Sequence, residues 1–310
     1  MKIQAQMFGI SAILCNLITG DPIIISGGWC FYNQLFDPTN PSTSAVSYTL
    51  PIEPLEAAAA VTIGPKSYIF GGWSYTWPNQ FRSSVQIYDS NTQRLTRGAP
   101  MSVARMQHTA ILIQNRVYVC GGMSNWGTAF HLSSCQVYDP SSNGWQAMSD
   151  MPQPRVDHTA VALGSKMYIA GGVAGGQYTN TLIIYDTTTR HWTSGAPMSK
   201  QRDVPASIAL PNGQMLVCGG YSPDDQAATA TCESYSAKDN KWTNRASMNI
   251  ERYGFAFVSQ SNRIYAVAGM GNATSPHWLG TVEQYDVGSD TFTYIDAKLA
   301  AVCTGFVLLG

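Results

Sequence analysis

The sequence predicts an all-β protein in which one four-stranded unit is repeated six times. A pair of glycines, a tyrosine and a large apolar residue recur in that order about every 50 residues, which indicates a copied structural unit. The second glycine of each pair stands at Gly28, Gly72, Gly122, Gly172, Gly220 and Gly269. In the sixth copy Ala268 replaces the first glycine.

Aromatic and large apolar residues follow each glycine pair at a fixed spacing. The tyrosines are Tyr48, Tyr88, Tyr138, Tyr185, Tyr235 and Tyr285. Seven residues after them stand Leu55, Leu95, Trp145, Trp192, Trp242 and Phe292. Because a four-stranded unit cannot cover both of its own faces, we expect these side chains to be buried between neighbouring units.

Each unit consists of short segments with the composition of strands. In the third copy, residues 109–113, 116–120, 134–138 and 145–147 are rich in β-branched and aromatic residues, and turn residues separate them. No segment keeps a period of 3.6 residues, so we expect almost no helix. The glycines end the second strand, because a residue without Cβ adopts positive φ and lets neighbouring backbones approach closely.

The order of paired glycine, Tyr-Asp and tryptophan resembles the kelch repeat. That resemblance implies a six-bladed kelch β-propeller with four antiparallel strands per blade. The segments MSVAR, MPQPR, MSKQR and MNIER are similar to the Met-x-x-x-Arg corner that precedes the first strand in kelch-like proteins. The sequence contains no BTB or BACK helical region, so we expect it to lack the part that recruits a cullin ligase.

The two ends of the sequence predict how the ring closes. Residues 304–310 align with 254–260, a first strand, and we expect them to complete the blade that residues 22–26 begin. The alternative places residues 8–14 there. The propeller then spans residues 21–310, and residues 1–20 form an N-terminal extension or a cleaved signal peptide.

Cysteine usage leaves two interpretations open. Either the cysteines are free core residues of a cytoplasmic protein, or they form disulfides in a secreted one. The pairs would be Cys120 with Cys135, Cys218 with Cys232, and Cys30 with Cys303. We expect a cytoplasmic location, with secretion as the alternative if residues 1–20 are a signal peptide.

Composition and motifs disfavour several classes of function. Only 12% of the 310 residues are charged and the formal net charge is -1, so nucleic acid is not an expected partner. No apolar run reaches the length of a membrane span. The five histidines follow no metal-binding spacing, and no nucleophile elbow or phosphate loop is present. We therefore predict no catalytic residues, no metal and no cofactor.

The features that remain favour binding of a protein or peptide. The loops on one rim carry aromatic residues suited to interface hot spots, namely Trp29, Tyr32, Trp73, Tyr75, Trp77, Trp126, Phe130 and Trp278. The resemblance implies that the corner arginines Arg105, Arg155, Arg202 and Arg252 face the mouth of the channel and bind a partner. Alternatively, they brace the corners through backbone carbonyls. Asp157 and Asp203 stand close enough to an arginine in sequence to pair with it.

We therefore expect a non-catalytic interaction module that binds its partner on the loop-bearing face, as the substrate-recognition domains of kelch-like proteins do. The resemblance leaves two alternatives open. One is an actin-binding structural protein. The other is a secreted propeller enzyme of the oxidase or sugar mutarotase type.

Overall fold

The computed structural model describes residues 23–25, 33–36, 47–48, 55–74, 80–260, 263–272, 279–296 and 308–309. These residues form six four-stranded antiparallel sheets, in agreement with the six predicted blades. The helical content of the described residues is one turn of 3-10 helix at Thr128–Phe130. The predicted all-β propeller fold is therefore confirmed. We number the blades 1 to 6 in the order of the glycine pairs.

Blades 2 to 6 share one strand plan, in which the strands pair in sequence order. Their first strands are Ala59–Ile63, Thr109–Ile113, Thr159–Leu163, Ala206–Ala209 and Ala256–Gln260. Their second strands are Lys66–Phe70, Arg116–Cys120, Lys166–Ala170, Met215–Cys218 and Arg263–Val267. Their third strands are Val85–Asp89, Cys135–Asp139, Leu182–Asp186, Cys232–Ser236 and Val282–Asp286. Their fourth strands are Arg94–Gly98, Gly144–Ala147, His191–Gly195, Lys241–Arg245 and Thr291–Ile295.

Blade 1 combines both ends of the sequence. Its strands are Ile23–Ile25, Asn33–Phe36, Ser47–Tyr48 and Leu308–Leu309. Ile23 pairs with Leu309 and Ile24 with Leu308 in an antiparallel register. This is the pairing that closure of the ring by the C-terminal strand requires. The alternative strand at residues 8–14, and the domain boundary at residue 20, lie outside the described residues.

The core lies between consecutive blades. In one cluster, Cys120 and Val137 of blade 3 pack with Met167 and Tyr185 of blade 4, and equivalent clusters join blade 2 to 3, 4 to 5 and 5 to 6. Such contacts bury the sheet faces that a single blade leaves open. The repeat tyrosines Tyr138, Tyr185, Tyr235 and Tyr285 are buried in these clusters, as the sequence predicts.

The repeat tryptophans differ from the prediction of full burial. Trp145, Trp192 and Trp242 contact the clusters between blades but are only half-buried. Each indole N–H donates to a carbonyl oxygen of the preceding repeat; for Trp242 the acceptor is Ala196, at 2.7 Å. The need to place a polar N–H against a carbonyl at the blade edge keeps part of each ring in contact with water.

Two disulfides join the second and third strands of single blades. Cys120 is bonded to Cys135 in blade 3, and Cys218 to Cys232 in blade 5. In both blades the two cysteines are directly opposite each other in the strand register. This agrees with the disulfide interpretation of the sequence for these two pairs. The third predicted pair, Cys30 with Cys303, lies outside the described residues.

Candidate partner-binding face

One face of the propeller carries the corner segments and the loops between second and third strands. The two meet there because each first strand begins opposite the end of its second strand, as Thr109 opposite Cys120 shows. Short strand pairs then join corner to loop, for example Leu55–Glu56 with Trp73–Ser74 and Arg155–Val156 with Val173–Ala174. We call this side, formed by the corners and by the loops that follow the glycine pairs, the upper face.

A partial ring of backbone hydrogen bonds, from blade 2 to blade 6, runs around the axis at the upper face. The N–H groups of Gln107, Asp157, Val204 and Gly254 donate in turn to the carbonyl oxygens of Ala57, Gln107, Asp157 and Val204, over 2.9 to 3.2 Å. All five residues have positive φ, between 49° and 61°. The ring fixes consecutive blades at their corners and sets the width of the channel mouth.

A cavity of about 160 Å³ lies along the axis below this ring. Small residues of the first strands form most of its wall, including Ala60, Ala110, Ala160, Ala206 and Ala256. His108, Asp157 and His158 supply polar groups near its mouth. The volume is sufficient for several water molecules or for the end of one long side chain.

The four corner arginines are buried inside their own blades. Arg105 donates from Nη1 to the carbonyl oxygens of Gly121 and Ser134, at 2.8 and 3.0 Å, and from Nη2 to the Ser134 hydroxyl. The other three repeat this pattern on the first residue of the next glycine pair and on a threonine. These contacts are the ones expected if the arginines brace the corners through backbone carbonyls.

The backbone of each arginine also joins two blades. The carbonyl oxygen of Arg155 accepts from Gly122 of the preceding blade at 2.8 Å, and Arg202 does the same for Gly172. Burial lowers the pKa of both Arg105 and Arg155 to about 10, so the guanidinium groups remain charged at neutral pH. Because their terminal nitrogens already have acceptors inside the protein, we leave the arginines out of the proposed binding surface, and their use by a partner stays a prediction.

Aromatic side chains of blades 2 and 3 form a cluster on the upper face. The rings of Trp73, Phe81 and Trp126 lie 5.1 to 5.2 Å apart, centroid to centroid. Trp126 is 37% exposed, and Phe130 in the same loop is 43% exposed. We name these four residues the aromatic cluster. Of the aromatic residues expected to bind a partner, Trp73 and Trp126 are thus brought together, and Phe130 lies in the same loop as Trp126. Another set lies outside the described residues, namely Trp29, Tyr32, Tyr75, Trp77 and Trp278.

Two carboxyl groups, those of Asp157 and Asp203, lie at the channel mouth. The interpretation that they pair with the corner arginines is wrong. Asp157 and Asp203 form no ion pair with an arginine among the described residues; the arginines instead contact carbonyls and, in blades 5 and 6, Glu233 and Glu283. Asp157 belongs to the backbone ring, and Asp203 pairs with Tyr221 through the backbone at 2.7 and 2.9 Å. A signal was present in the repeat, since Met106, Val156 and Tyr253 occupy the position of Asp203 in blades 3, 4 and 6, although blade 2 has Glu56 there.

The environment of both carboxyl groups favours their protonated forms. Burial, with the nearby charge of Asp203, raises the pKa of Asp157 well above its usual range. Burial raises the pKa of Asp203 to about 7. The two histidines of the cavity wall are held neutral, because burial lowers the pKa of His158 to about 3 and that of His108 well below its usual value. Neither of these two histidines therefore supplies an imidazolium to Asp157 or Asp203.

Asp203 should make the stability of the fold depend on pH. The unfolded chain ionises this carboxyl near pH 4, whereas the folded state keeps its proton up to about pH 7. Between these values the folded state binds more protons, so the free energy of unfolding should fall with rising pH, by at most about 1.4 kcal/mol per unit. Asp203→Asn should reduce this fall, leaving the part due to Asp157, and should be more stable than the wild type at pH 8, by about 1 to 3 kcal/mol.

Guanidinium chloride denaturation at pH 5 and pH 8 measures the effect. Asp224→Asn removes an exposed carboxyl from the same face and should retain the wild-type pH dependence. The same slope in Asp203→Asn and the wild type would contradict the prediction.

The described part of the chain shows neither a metal-binding group of side chains nor a helix that could span a membrane. Among the described residues, no three His, Cys, Asp or Glu side chains are grouped so that they could hold a metal ion. Within the same part of the chain, no helix is long and apolar enough to cross a membrane.

Comparison with curated proteins finds relatives that share kelch repeats over part of their length. Kelch-like protein 40 of Mus musculus is 31% identical over 90 residues, which are 29% of this chain and 14% of that protein. The F-box/kelch-repeat protein At2g44130 of Arabidopsis thaliana is 27% identical over 123 residues, 39% of this chain and 30% of that protein. Beta-scruin of Limulus polyphemus is 26% identical over 115 residues, 36% of this chain and 12% of that protein. The chain thus spans less than a third of each of these relatives.

Comparison with solved structures and family models covers much more of the chain. The structure of YjhT aligns with a TM-score of 0.77 over 94% of this chain and 98% of that one, and the 14% sequence identity limits the similarity to the fold. A model described as the KLHDC2/KLHL20/DRC7 Kelch-repeats domain matches residues 57–269, and a Kelch motif matches residues 251–296. The first match covers more than half of the sequence, and so this chain belongs to the kelch-repeat family.

Proposed function

We propose that this propeller is a non-catalytic interaction module that binds a peptide or a protein on its upper face. The aromatic cluster is the observation that carries the proposal. Trp126 and Phe130 keep 37% and 43% of their surface exposed, although the core between the blades offers space for apolar groups. Large exposed aromatic side chains on a rigid scaffold are typical of interface hot spots.

The cluster is held in place before any partner binds. Trp73 and Phe81 face each other across a short hairpin, and Trp126 contacts both rings although it comes from the neighbouring blade. Phe130 ends the 3-10 turn, whose N–H groups bond back within the loop. Because these side chains are already ordered, a partner loses little conformational entropy on their account when it binds.

The raised pKa values of Asp157 and Asp203 leave a propeller enzyme as the alternative, because groups with shifted pKa values occur in both catalytic and ligand-binding sites. Among the described residues, however, neither Asp157 nor Asp203 forms a side-chain hydrogen bond with a serine, cysteine or histidine that it could activate as a nucleophile. An activated nucleophile would need such a neighbouring base. The exposed rings of the aromatic cluster, by contrast, can contact a partner without any further group. We therefore favour the interaction module, with actin as one candidate partner.

Replacement of Trp126 and Phe130 by serine should abolish partner binding without unfolding the protein. Each hot-spot aromatic contributes about 2 kcal/mol or more, so the double variant should bind about two to three orders of magnitude more weakly. The measurement is quantitative capture with wild-type and variant protein, followed by calorimetry on the captured partner. Cosedimentation with actin filaments tests actin as a defined probe.

Tyr294→Ser is the matched control. Tyr294 is 55% exposed but lies on the fourth strand of blade 6, away from the aromatic cluster. This variant should bind as the wild type does. A partner that binds the Trp126 and Phe130 variant with wild-type affinity would place the interface elsewhere and refute the proposal.

A further inference from the structure

We infer that the channel mouth between Asp157 and Asp203 receives a guanidinium group, presented by an arginine side chain of the bound partner. This inference rests on the proposed function and specifies the chemistry of the partner. It follows from unpaired hydrogen-bond acceptors, from the aromatic rings around them and from the local charge.

Three side-chain oxygens of this region have no contact with solvent and no hydrogen-bond donor. They are Oδ1 of Asp157, Oδ1 of Asp203 and Oε1 of Gln107. Gln107 is only 4% exposed. Buried acceptors without a donor are rare in folded proteins because each one costs desolvation energy. A ligand that brings several donors would satisfy them.

The repeat geometry places these groups around one point. Gln107 and Asp157 occupy the same position of consecutive blades, with φ values of 57° and 55°, and the N–H of Asp157 donates to the carbonyl of Gln107. Their side chains therefore leave the backbone in the same direction relative to the axis. Asp157 lines the axial cavity, and Asp203 belongs to the next corner of the ring. Together they form one side of the mouth.

Tyrosine rings lie beside the carboxyl pair. The ring centroid of Tyr221 is 6.4 Å from that of Tyr178 and 6.3 Å from that of Tyr253. Tyr221 pairs with Asp203 through the backbone, so these rings belong to the same part of the face as that carboxyl, whose charge contributes to the raised pKa of Tyr178 and Tyr253 after burial. A cation held by carboxylates and flanked by aromatic rings gains from both interactions.

The nearby cations of the protein itself are engaged elsewhere. Arg155 donates to Gly171 and Thr181, and Arg202 donates to Gly219, Thr231 and Glu233. Among the described residues, no ion pair joins Asp157 or Asp203 to a basic side chain. Hydrogen-bond donors for the unpaired oxygens, and a positive charge that would favour ionisation of both carboxyl groups, would therefore come from a ligand.

A guanidinium group fits these requirements better than the other common cations. It supplies five N–H donors in a planar fork, which suits acceptors on separate side chains, and it is more weakly hydrated than an ammonium group. A metal ion would require a larger set of ligands than the described residues bring together. The cavity of about 160 Å³ has room for the end of an arginine side chain.

The test uses a defined probe, N-acetyl-arginine methylamide, titrated into isotopically labelled protein and followed by NMR. We expect saturable shifts at residues 157–159 and 203–206 of the wild type. The citrulline analogue has the same shape without the charge, and it should cause no saturable shifts there. The lysine analogue should bind at least threefold more weakly than the arginine probe.

Two double variants separate the site from the general charge of the face. Asp157→Asn with Asp203→Asn should weaken probe binding at least fivefold. Asp224→Asn with Asp225→Asn removes two exposed carboxyl groups from a loop of the same face and should bind as the wild type does. Thermal unfolding verifies that the first variant is folded, which we expect because neutral amides replace two carboxyl groups whose ionisation the fold disfavours. If it does not fold, the citrulline comparison on the wild type decides alone.

Equal binding of the arginine probe to both variants would overturn the inference, as would equal binding of arginine and citrulline or tighter binding of lysine. The titration involves no partner, so it is independent of the proposed function. If the Trp126 and Phe130 variant loses partner binding but the arginine probe does not bind the wild type, the proposed function stands and only this inference is refuted. If the probe binds but the Trp126 and Phe130 variant binds its partner as the wild type does, the proposed interface is refuted instead.

Discussion

Replacement of Arg252 by methionine should lower the free energy of unfolding by about 3 to 5 kcal/mol. The guanidinium of Arg252 donates to the Glu283 carboxylate at 2.8 Å, and both side chains are fully buried. Methionine fills much of the same space but leaves the carboxylate without its cation. An unpaired buried charge is among the most costly defects that a point mutation produces. Chemical denaturation monitored by tryptophan fluorescence measures the change.

Arg155 offers a matched control in another blade. It makes the same contacts with backbone carbonyls and a threonine, but Ile183 occupies the position that Glu283 has in blade 6. Arg155→Met removes hydrogen bonds without exposing a buried charge, and should cost about 1 to 3 kcal/mol. Equal losses for the two variants would mean that the ion pair with Glu283 adds nothing to the corner.

A second change should restore part of the stability lost in the Arg252 variant. Blade 3 has Gln136 at the position of Glu283, where its side-chain oxygen accepts from the N–H of Ser102 at 3.3 Å. Adding Glu283→Gln to Arg252→Met removes the buried charge and keeps an acceptor for Asn249, which bonds Glu283 through its N–H. The double variant should therefore be more stable than the single one.

The fold could be predicted from the sequence because its determinants are repeated. The hydroxyl group of Tyr235 donates to Asn240 at 2.7 Å, and the same Asn240 oxygen accepts from the N–H of Ala196 of the preceding repeat. Tyr138 and Tyr285 make the equivalent bonds in their blades. A residue type that makes the same contact in several blades recurs at a fixed spacing in the sequence. That spacing predicts the strands, the blades and the packing between them.

The candidate site was harder to predict because its residues break the period. The arginines recur, and their repetition reflects a bracing role inside each corner more directly than binding. Asp203 stands at a position that is apolar or aromatic in blades 3, 4 and 6 and is Glu56 in blade 2, and its pKa is raised by burial within the folded ring. The contact between Trp73 and Trp126 joins loops whose sequences have no common pattern. Such features depend on three-dimensional proximity that a single sequence does not encode in any local spacing.

Replacement of Gly219 by alanine should lower the free energy of unfolding by about 2 to 5 kcal/mol. Gly219 has a φ of 64°, and a Cβ there would overlap the carbonyl oxygen of Arg252 and lie 2.6 Å from Cε1 of Phe255. That carbonyl cannot move aside easily, because it accepts from the N–H of Gly220 at 2.9 Å and so joins blade 5 to blade 6. The cost of left-handed backbone, about 1 to 2 kcal/mol, adds to the cost of the overlap, about 1 to 3 kcal/mol.

Gly213→Ala separates these two costs. Gly213 has a φ of 78°, but nothing lies within 4 Å of the Cβ that alanine would add, so this variant should lose only the backbone contribution, about 1 to 2 kcal/mol. Ala268 has the position of Gly219 in blade 6 with a φ of 59°, which shows that alanine can adopt this conformation within the fold. Equal losses for Gly219→Ala and Gly213→Ala in chemical denaturation would contradict the prediction. The glycine pair would then be required for its backbone angles, and close packing against the arginine corner would not explain its recurrence.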